Sequence, residues 1–139
     1  MAIEKFRGQY GFLSNYYDAK VSMDGYDYNS VEHAFQAAKC KHREDRIEIR
    51  LADTPGKAKR LGNRVELRSD WEEVKVSVMA SLVLQKFARH PHLRRRLLAT
   101  GVEQIVEGNT WNDTFWGVCA GQGKNMLGRI LMGVRRRLS

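Results

Sequence analysis

The 139-residue chain is 42% hydrophobic and carries 24 Lys and Arg against 16 Asp and Glu, a formal charge of +8 at pH 7. That size and composition suit one packed domain, and the chain holds no internal repeat, no low-complexity tract and no apolar run long enough to span a membrane. The positive balance predicts an anionic partner: a phosphorylated small molecule, nucleic acid or an acidic surface.

The opening MAIEKFRGQY lacks an apolar signal region, so a cytoplasmic protein is expected. Cys40 and Cys119 form no CxxC motif and are expected to stay reduced. His33, His42, His90 and His92 match no ligand spacing, and neither HExxH nor a paired CxxC occurs, so no metal is expected. Two arginine triplets, Arg94-Arg95-Arg96 and Arg135-Arg136-Arg137, fall on expected helices. Each reads either as a solvated basic face or as a nucleic-acid patch.

In chain order, Gly11-Phe12-Leu13-Ser14-Asn15 reads as a loop rich in hydrogen-bonding groups. Residues 19–23 and 26–28 flank Asp24-Gly25, the signature of a small hairpin. Helices follow over residues 30–41 and 43–51. A third starts at Thr54-Pro55, with proline at the favoured first position, and ends at Gly62. Ser69 with Glu72, or Asp70 with Glu73, can box the start of a long fourth helix. Its apolar stripe is Trp71, Val74, Val78, Leu82 and Phe87. Pro91 opens a helix that ends near Gly101, residues 102–106 suit a short strand, and 126–138 form the last helix, with Leu127, Ile130, Leu131 and Val134 on its apolar face. Without βαβ alternation, the expected fold is mainly α (α+β), a helical core with a small N-terminal β element.

Two stretches carry chemistry. In SVEHAFQAAK, Glu32, Phe35, Gln36 and Lys39 fall at i, i+3, i+4 and i+7, on one helical face. A carboxylate, an amide and an amine there offer an acid/base group, an orienting group and a nucleophile. The bland alternative is an exposed polar stripe, with Asn29-x-x-Glu32 as a capping box. The second stretch is GNTWNDTFWGVCAGQGKN, residues 108–125. Its glycines let backbone N–H groups approach an anion, Lys124 adds a charge, and a helix beginning near Asn125 would aim unpaired amides and its dipole at that anion. It is not a Walker A loop: Val118 stands where glycine is needed, and Asn125 follows the lysine. Trp111, Phe115 and Trp116 are either core rings or a stacking wall, with Asp113 near a bound sugar.

Together these segments resemble the NADAR family, also called YbiA-like. The matching runs are FLSNYYDAKVSMDG, NSVEHAFQAAK, REDRIEIRLADTPGKAKRLG, W-x2-VK-x2-VM from Trp71, QKFARHPHLRRRLLATG, EGNTWNDTFWG and GKNMLGRILMGVRRRL, in order from about Phe6 to Leu138. Val118-Cys119-Ala120 departs from the more glycine-rich, acid-containing segment of some relatives. The resemblance implies N-glycosidic hydrolysis without metal or organic cofactor. It also implies a ribose joined to an exocyclic amine near phosphate, as in riboflavin-pathway phosphoribosylamino-pyrimidines or ADP-ribosylated guanine, so nucleic acid enters as a carrier of the modified base.

On that resemblance, Glu32, Lys39 and Asp113 are the expected catalytic residues. Glu32 would stabilise charge on the ribose or orient water, Asp113 would bind ribose hydroxyls or share a proton, and Lys39 would attack C1 if burial lowers its pKa. Direct hydrolysis and the covalent route both remain open. Ser14, Asn15, Phe35, Gln36, Trp71, Asn109, Trp111, Trp116, Gly117, Lys124 and Asn125 are the expected substrate contacts. The rival reading is a non-catalytic module that binds ADP-ribose or nucleic acid.

Overall fold

The computed structural model describes residues 2–139. Its first elements are β1 (Ala2–Ile3), a 3-10 helix (Gly8–Leu13), β2 (Val21–Met23), β3 (Tyr26–Tyr28), α1 (Val31–Ala38), α2 (Arg43–Arg50) and α3 (Pro55–Gly62). There follow α4 (Trp71–Arg89), α5 (Pro91–Ala99), β4 (Gln104–Ile105), β5 (Gly108–Asn109), β6 (Val118–Cys119) and α6 (Met126–Leu138). About 51% of the chain is helical and 12% strand, so the mainly α expectation holds. The chain divides into two units, one of residues 15–86 and one joining the segment that ends at Ser14 to Phe87–Ser139.

In the 15–86 unit, β2 and β3 pair antiparallel with Val21 opposite Tyr28. Asp24 and Gly25 both take positive φ, 52° and 84°, as a two-residue hairpin turn with the twist of its strands requires. α1 begins at Ser30, whose hydroxyl accepts the His33 amide. The expected Asn29–Glu32 box is therefore replaced by a serine cap, and the Glu32 carboxylate is left for other work. α3 keeps Thr54 as cap and Pro55 in its first turn. All eight residues of α1 are buried, beside α2 and α3. Main-chain hydrogen bonds from Lys41 to Glu66 and from Arg68 to Lys39 tie the end of α1 to the strand-like turn before α4. The box expected at the start of α4 gives way too: Asp70 holds the Arg68 guanidinium at 2.6 and 3.0 Å.

The stripe expected on α4 is only partly right. Trp71, Leu82 and Phe87 are buried, but Val74 and Val78 are half-exposed and Met79, Val83 and Lys86 take the interior instead. The Lys86 amine lies 5.6 Å from the Tyr17 ring, and burial pushes its pKa down to about 7.

In the other unit, β1 runs parallel to β4 with Ile3 opposite Ile105, and β5 runs parallel to β6. Strand structure thus extends beyond the N-terminal hairpin. Leu127, Leu131 and Val134 of α6 are buried as expected, and Ile130 is half-buried. One member of each arginine triplet is committed within the fold. Arg96 lies 4.2 Å over the Phe12 ring and donates to the Gln9 carbonyl, while Arg135 is buried and donates to the Thr100 hydroxyl at 2.9 Å.

Candidate active site

The polar face of α1 is interior, not solvated. Glu32 is 7% exposed and Gln36 5%. Gln36 Nε2 donates to Glu32 Oε2 at 2.7 Å, one helical turn apart. The Glu32 amide, an early unpaired donor of the helix, is met by the Asn15 carbonyl at 3.0 Å. Burial raises the Glu32 pKa, opposed by the Gln36 hydrogen bond and by the charges of Lys59, Lys39 and His33. Lys39, half-buried three residues beyond Gln36, moves the other way: loss of hydration lowers its pKa, with Lys59 adding in that direction and Glu32 opposing. Displacement of an acid upward and an amine downward is the pattern of groups tuned for proton transfer and attack.

The row is kept in place by close packing. A side-chain carbon on Gly62 would sit 2.0 Å from Gln36 Oε1 and 3.1 Å from Lys39 Cε, so only glycine lets α3 approach α1 here. Gln36 Oε1 is buried without a hydrogen-bond partner among the described residues, an acceptor available to a ligand donor. Phe35 and Trp71 pack ring to ring at 5.0 Å, tilted by 53°, and both are buried. Asn15 Nδ2 reaches Met79 Sδ at 3.5 Å, so this residue contributes its carbonyl to α1 and its amide to α4.

Three groups not singled out from sequence join this face. Lys59 acts electrostatically on both Glu32 and Lys39. The Tyr16 hydroxyl is raised by burial and by Glu32 and lowered by Arg60. A carbon placed on Gly56 would lie 3.7 Å from the Arg60 guanidinium and 4.0 Å from the Tyr16 ring, which puts those two side by side. Their only sequence signal was the Lys59-Arg60 pair within a short helix.

The 108–125 loop is knitted by its own hydrogen bonds. Asp113 Oδ1 accepts the Phe115 and Trp116 amides at 3.1 and 2.9 Å. Asn109 accepts the Asp113 amide and donates to its carbonyl and to Glu107 Oε2. Gly117 is required bare, since a side chain would meet Glu107 Oε2 at 1.9 Å. The anion cradle expected at the start of α6 is otherwise committed. The amides of Lys124, Asn125, Met126 and Leu127 donate to the carbonyls of Thr114, Gly117, Phe115 and Trp116. Asn125 itself is a tie, accepting from the Glu107 amide and donating to the Ile105 carbonyl. Trp116 packs edge-on to Phe115 at 4.8 Å and Lys124 lies 5.7 Å from the Phe115 ring. Trp111 stands 55% exposed, the ring of this loop most open to stacking. The Ser14 amide closes the 3-10 helix on Gly11.

Two nearby groups are structural. His33 bridges the Ser30 hydroxyl at 2.7 Å and the Ala52 carbonyl at 3.0 Å. The Cys40 thiol lies on the Gln36 carbonyl, and burial pushes it up to about 11, which makes it a poor nucleophile.

The description of the NADAR domain matches residues 4–139. The chain belongs to the NADAR family. Among NADAR relatives, it is 42% identical over 133 residues to the N-glycosidase YbiA of Shigella flexneri, covering 94% of this chain and 82% of that protein. A riboflavin biosynthesis protein of Vibrio vulnificus is 36% identical over 93% of this chain, which spans only 36% of that longer protein. The NMR structure of Escherichia coli YbiA superposes with a TM-score of 0.87 at 38% identity, covering 99% of this chain and 84% of that one. Among the described residues, no helix of this NADAR chain is long and apolar enough to cross a membrane.

Proposed function

We infer that this N-glycosidase hydrolyses the bond between ribose C1′ and an exocyclic amine in a phosphorylated substrate, of the phosphoribosylamino-pyrimidine or ADP-ribosyl-guanine kind. The observation that carries the reading is the opposed displacement of Glu32 and Lys39 on one buried face. Relatives named for riboflavin biosynthesis support the pyrimidine class in particular.

The chemistry follows from the direction in which burial pushes each group, Glu32 toward its acid form and Lys39 toward its neutral amine. Glu32 delivers its proton to the ribose ring oxygen as the C1′–O bond opens, leaving an iminium between C1′ and the base nitrogen. Neutral Lys39 Nζ adds to C1′, passes a proton to the base nitrogen, and the base leaves as its free amine. The Glu32 carboxylate then takes a proton from water as it adds to the Lys39 imine. Ribose leaves as an aldehyde, and both groups return to their starting states. Gln36 keeps Glu32 oriented through the 2.7 Å hydrogen bond. Lys59 and Arg60 supply cations for the phosphate, because Lys59 acts on the Glu32–Lys39 pair itself.

The test is reductive trapping. Borohydride added during turnover should fix a sugar adduct on Lys39, and Lys39→Ala should lose both adduct and activity. Substantial turnover by Lys39→Ala, with no adduct in the unaltered protein, would leave direct hydrolysis by a Glu32-oriented water.

A further inference from the structure

The hairpin and α2 enclose a cavity of about 490 Å³, within the size range of small-ligand sites. None of Glu32, Gln36, Lys39, Tyr16, Lys59 or Arg60 lines it. Its wall is one face of REDRIEIR: Arg43, Arg46, Ile47 and Arg50 recur at i, i+3, i+4 and i+7 and all line the cavity, while Ile49 carries the buried side of the helix. Lys41 adds a fourth cation, and Asp24 is the one carboxylate in the lining.

Three guanidinium groups along one helical face repel one another, and an isolated helix disfavours such a row. Two are aimed by the fold. Arg46 donates to the Cys40 carbonyl at 3.1 and 3.3 Å and approaches Asp24 at 3.5 Å. Arg50 donates to the Asp27 carbonyl at 2.8 Å and stacks 5.0 Å over the Tyr26 ring. Arg43 is exposed and has no hydrogen bond or ion pair among the described residues. The aromatic side is equally specific. Tyr26 remains 45% exposed although Arg50 covers it, and Tyr28 is buried in the fields of Arg46 and Arg50. Cations in a row beside an open ring match phosphates spaced along a chain with bases between them. In the triplets at 94–96 and 135–137, Arg96 and Arg135 are spent on internal partners.

We propose that the cavity between the hairpin and α2 is a binding site for phosphate-and-base chemistry, with a nucleotide or single nucleic-acid strand held by Arg43, Arg46 and Arg50 and its base stacked on Tyr26. The site acts apart from the Glu32 face. Its occupant is a single strand or a free nucleotide, which share that chemistry.

The experiment is an anisotropy titration of fluorescein-labelled oligothymidylate, with ADP and inorganic phosphate as competitors. Arg43→Glu touches no internal partner and should weaken strand binding about eight-fold or more at about 50 mM salt, with the salt slope shallower by about 0.7, the increment of one phosphate contact. Arg43→Glu/Arg50→Glu should reach about sixty-fold on the same scale. Tyr26→Ala should weaken binding more than Tyr26→Phe. Competition by ADP assigns the cavity to a nucleotide unit, and displacement only by a second oligomer assigns it to a strand. Turnover of a small phosphoribosylamine by Arg43→Glu should match the unaltered protein, which separates this site from the proposed catalysis. Unchanged affinity in the cavity variants, equal loss in Arg136→Glu/Arg137→Glu, or binding of neither oligomer nor ADP would overturn the proposal.

Discussion

Glu32 and Asp113 are carboxylates of similar promise in the sequence, each next to aromatic rings, and their surroundings treat them in opposite ways. Glu32 is buried on a helix with one side-chain donor at 2.7 Å, so desolvation dominates and its proton is held tightly. Asp113 sits in a half-exposed turn and spends one oxygen on two backbone amides. A carboxylate that collects amides shapes a loop; one starved of donors is poised to exchange a proton. Chemical identity and neighbouring residues do not distinguish the two cases, because the deciding quantity is what the backbone leaves unsatisfied.

The sharpest way to break this contrast is paired isosteric substitution. Glu32→Gln should reduce kcat by about two orders of magnitude or more, the scale of losing a positioned acid/base group. Asp113→Asn keeps an oxygen acceptor for both amides, so kcat should stay within a few-fold. Equal losses in steady-state kinetics would remove the distinction and return Asp113 to acid/base work. Below that in size, Gly62→Ala should lower kcat about ten-fold and destabilise by about 1–3 kcal/mol, read by urea midpoint, because its methyl enters the Gln36 amide. Helix interiors ordinarily gain from this exchange.

Stability against pH gives a third measure. Lys86 titrates near 7 folded against an ordinary 10.5, so the unfolded chain binds more protons between those values and stability rises with pH there. From pH 7 to 9, below the range where the Cys40 shift opposes it, the gain should be about 2 kcal/mol. Lys86→Met should flatten the curve measured by denaturant titration, while the smaller same-sign contribution of Lys39 persists. The smallest expected effect separates the cations. Arg60→Ala should raise KM for phosphorylated substrate several-fold and Lys124→Ala about two-fold; the reverse order would move the phosphate to the loop.

Much of the fold was legible because local chemistry and tertiary demand agreed. Asp24-Gly25 supplied the turn its hairpin needs, Thr54-Pro55 and Gly62 bounded α3, and α6 kept its apolar spacing. The strand pairs β1–β4 and β5–β6 were mostly illegible, since two residues carry no period and the partners of β1 lie about a hundred positions away. On α4 a five-residue stripe missed Met79, Val83 and Lys86, because a lysine in the interior breaks the rule that locates a buried face. For the site, spacing alone grouped Glu32, Gln36 and Lys39. It could not reveal that the row is buried, that Gly62 makes room for it, or that the α6 amides are already bonded.

The pairing of Ile3 with Ile105 also bears on synthesis at the ribosome. Residues 15–86 are continuous in sequence, so that unit can organise once Lys86 has emerged. β1 must wait until β4 has been made, about a hundred residues later, or about 5–20 seconds at ordinary elongation rates. During that interval the first strand of the nascent chain presents an unpaired edge.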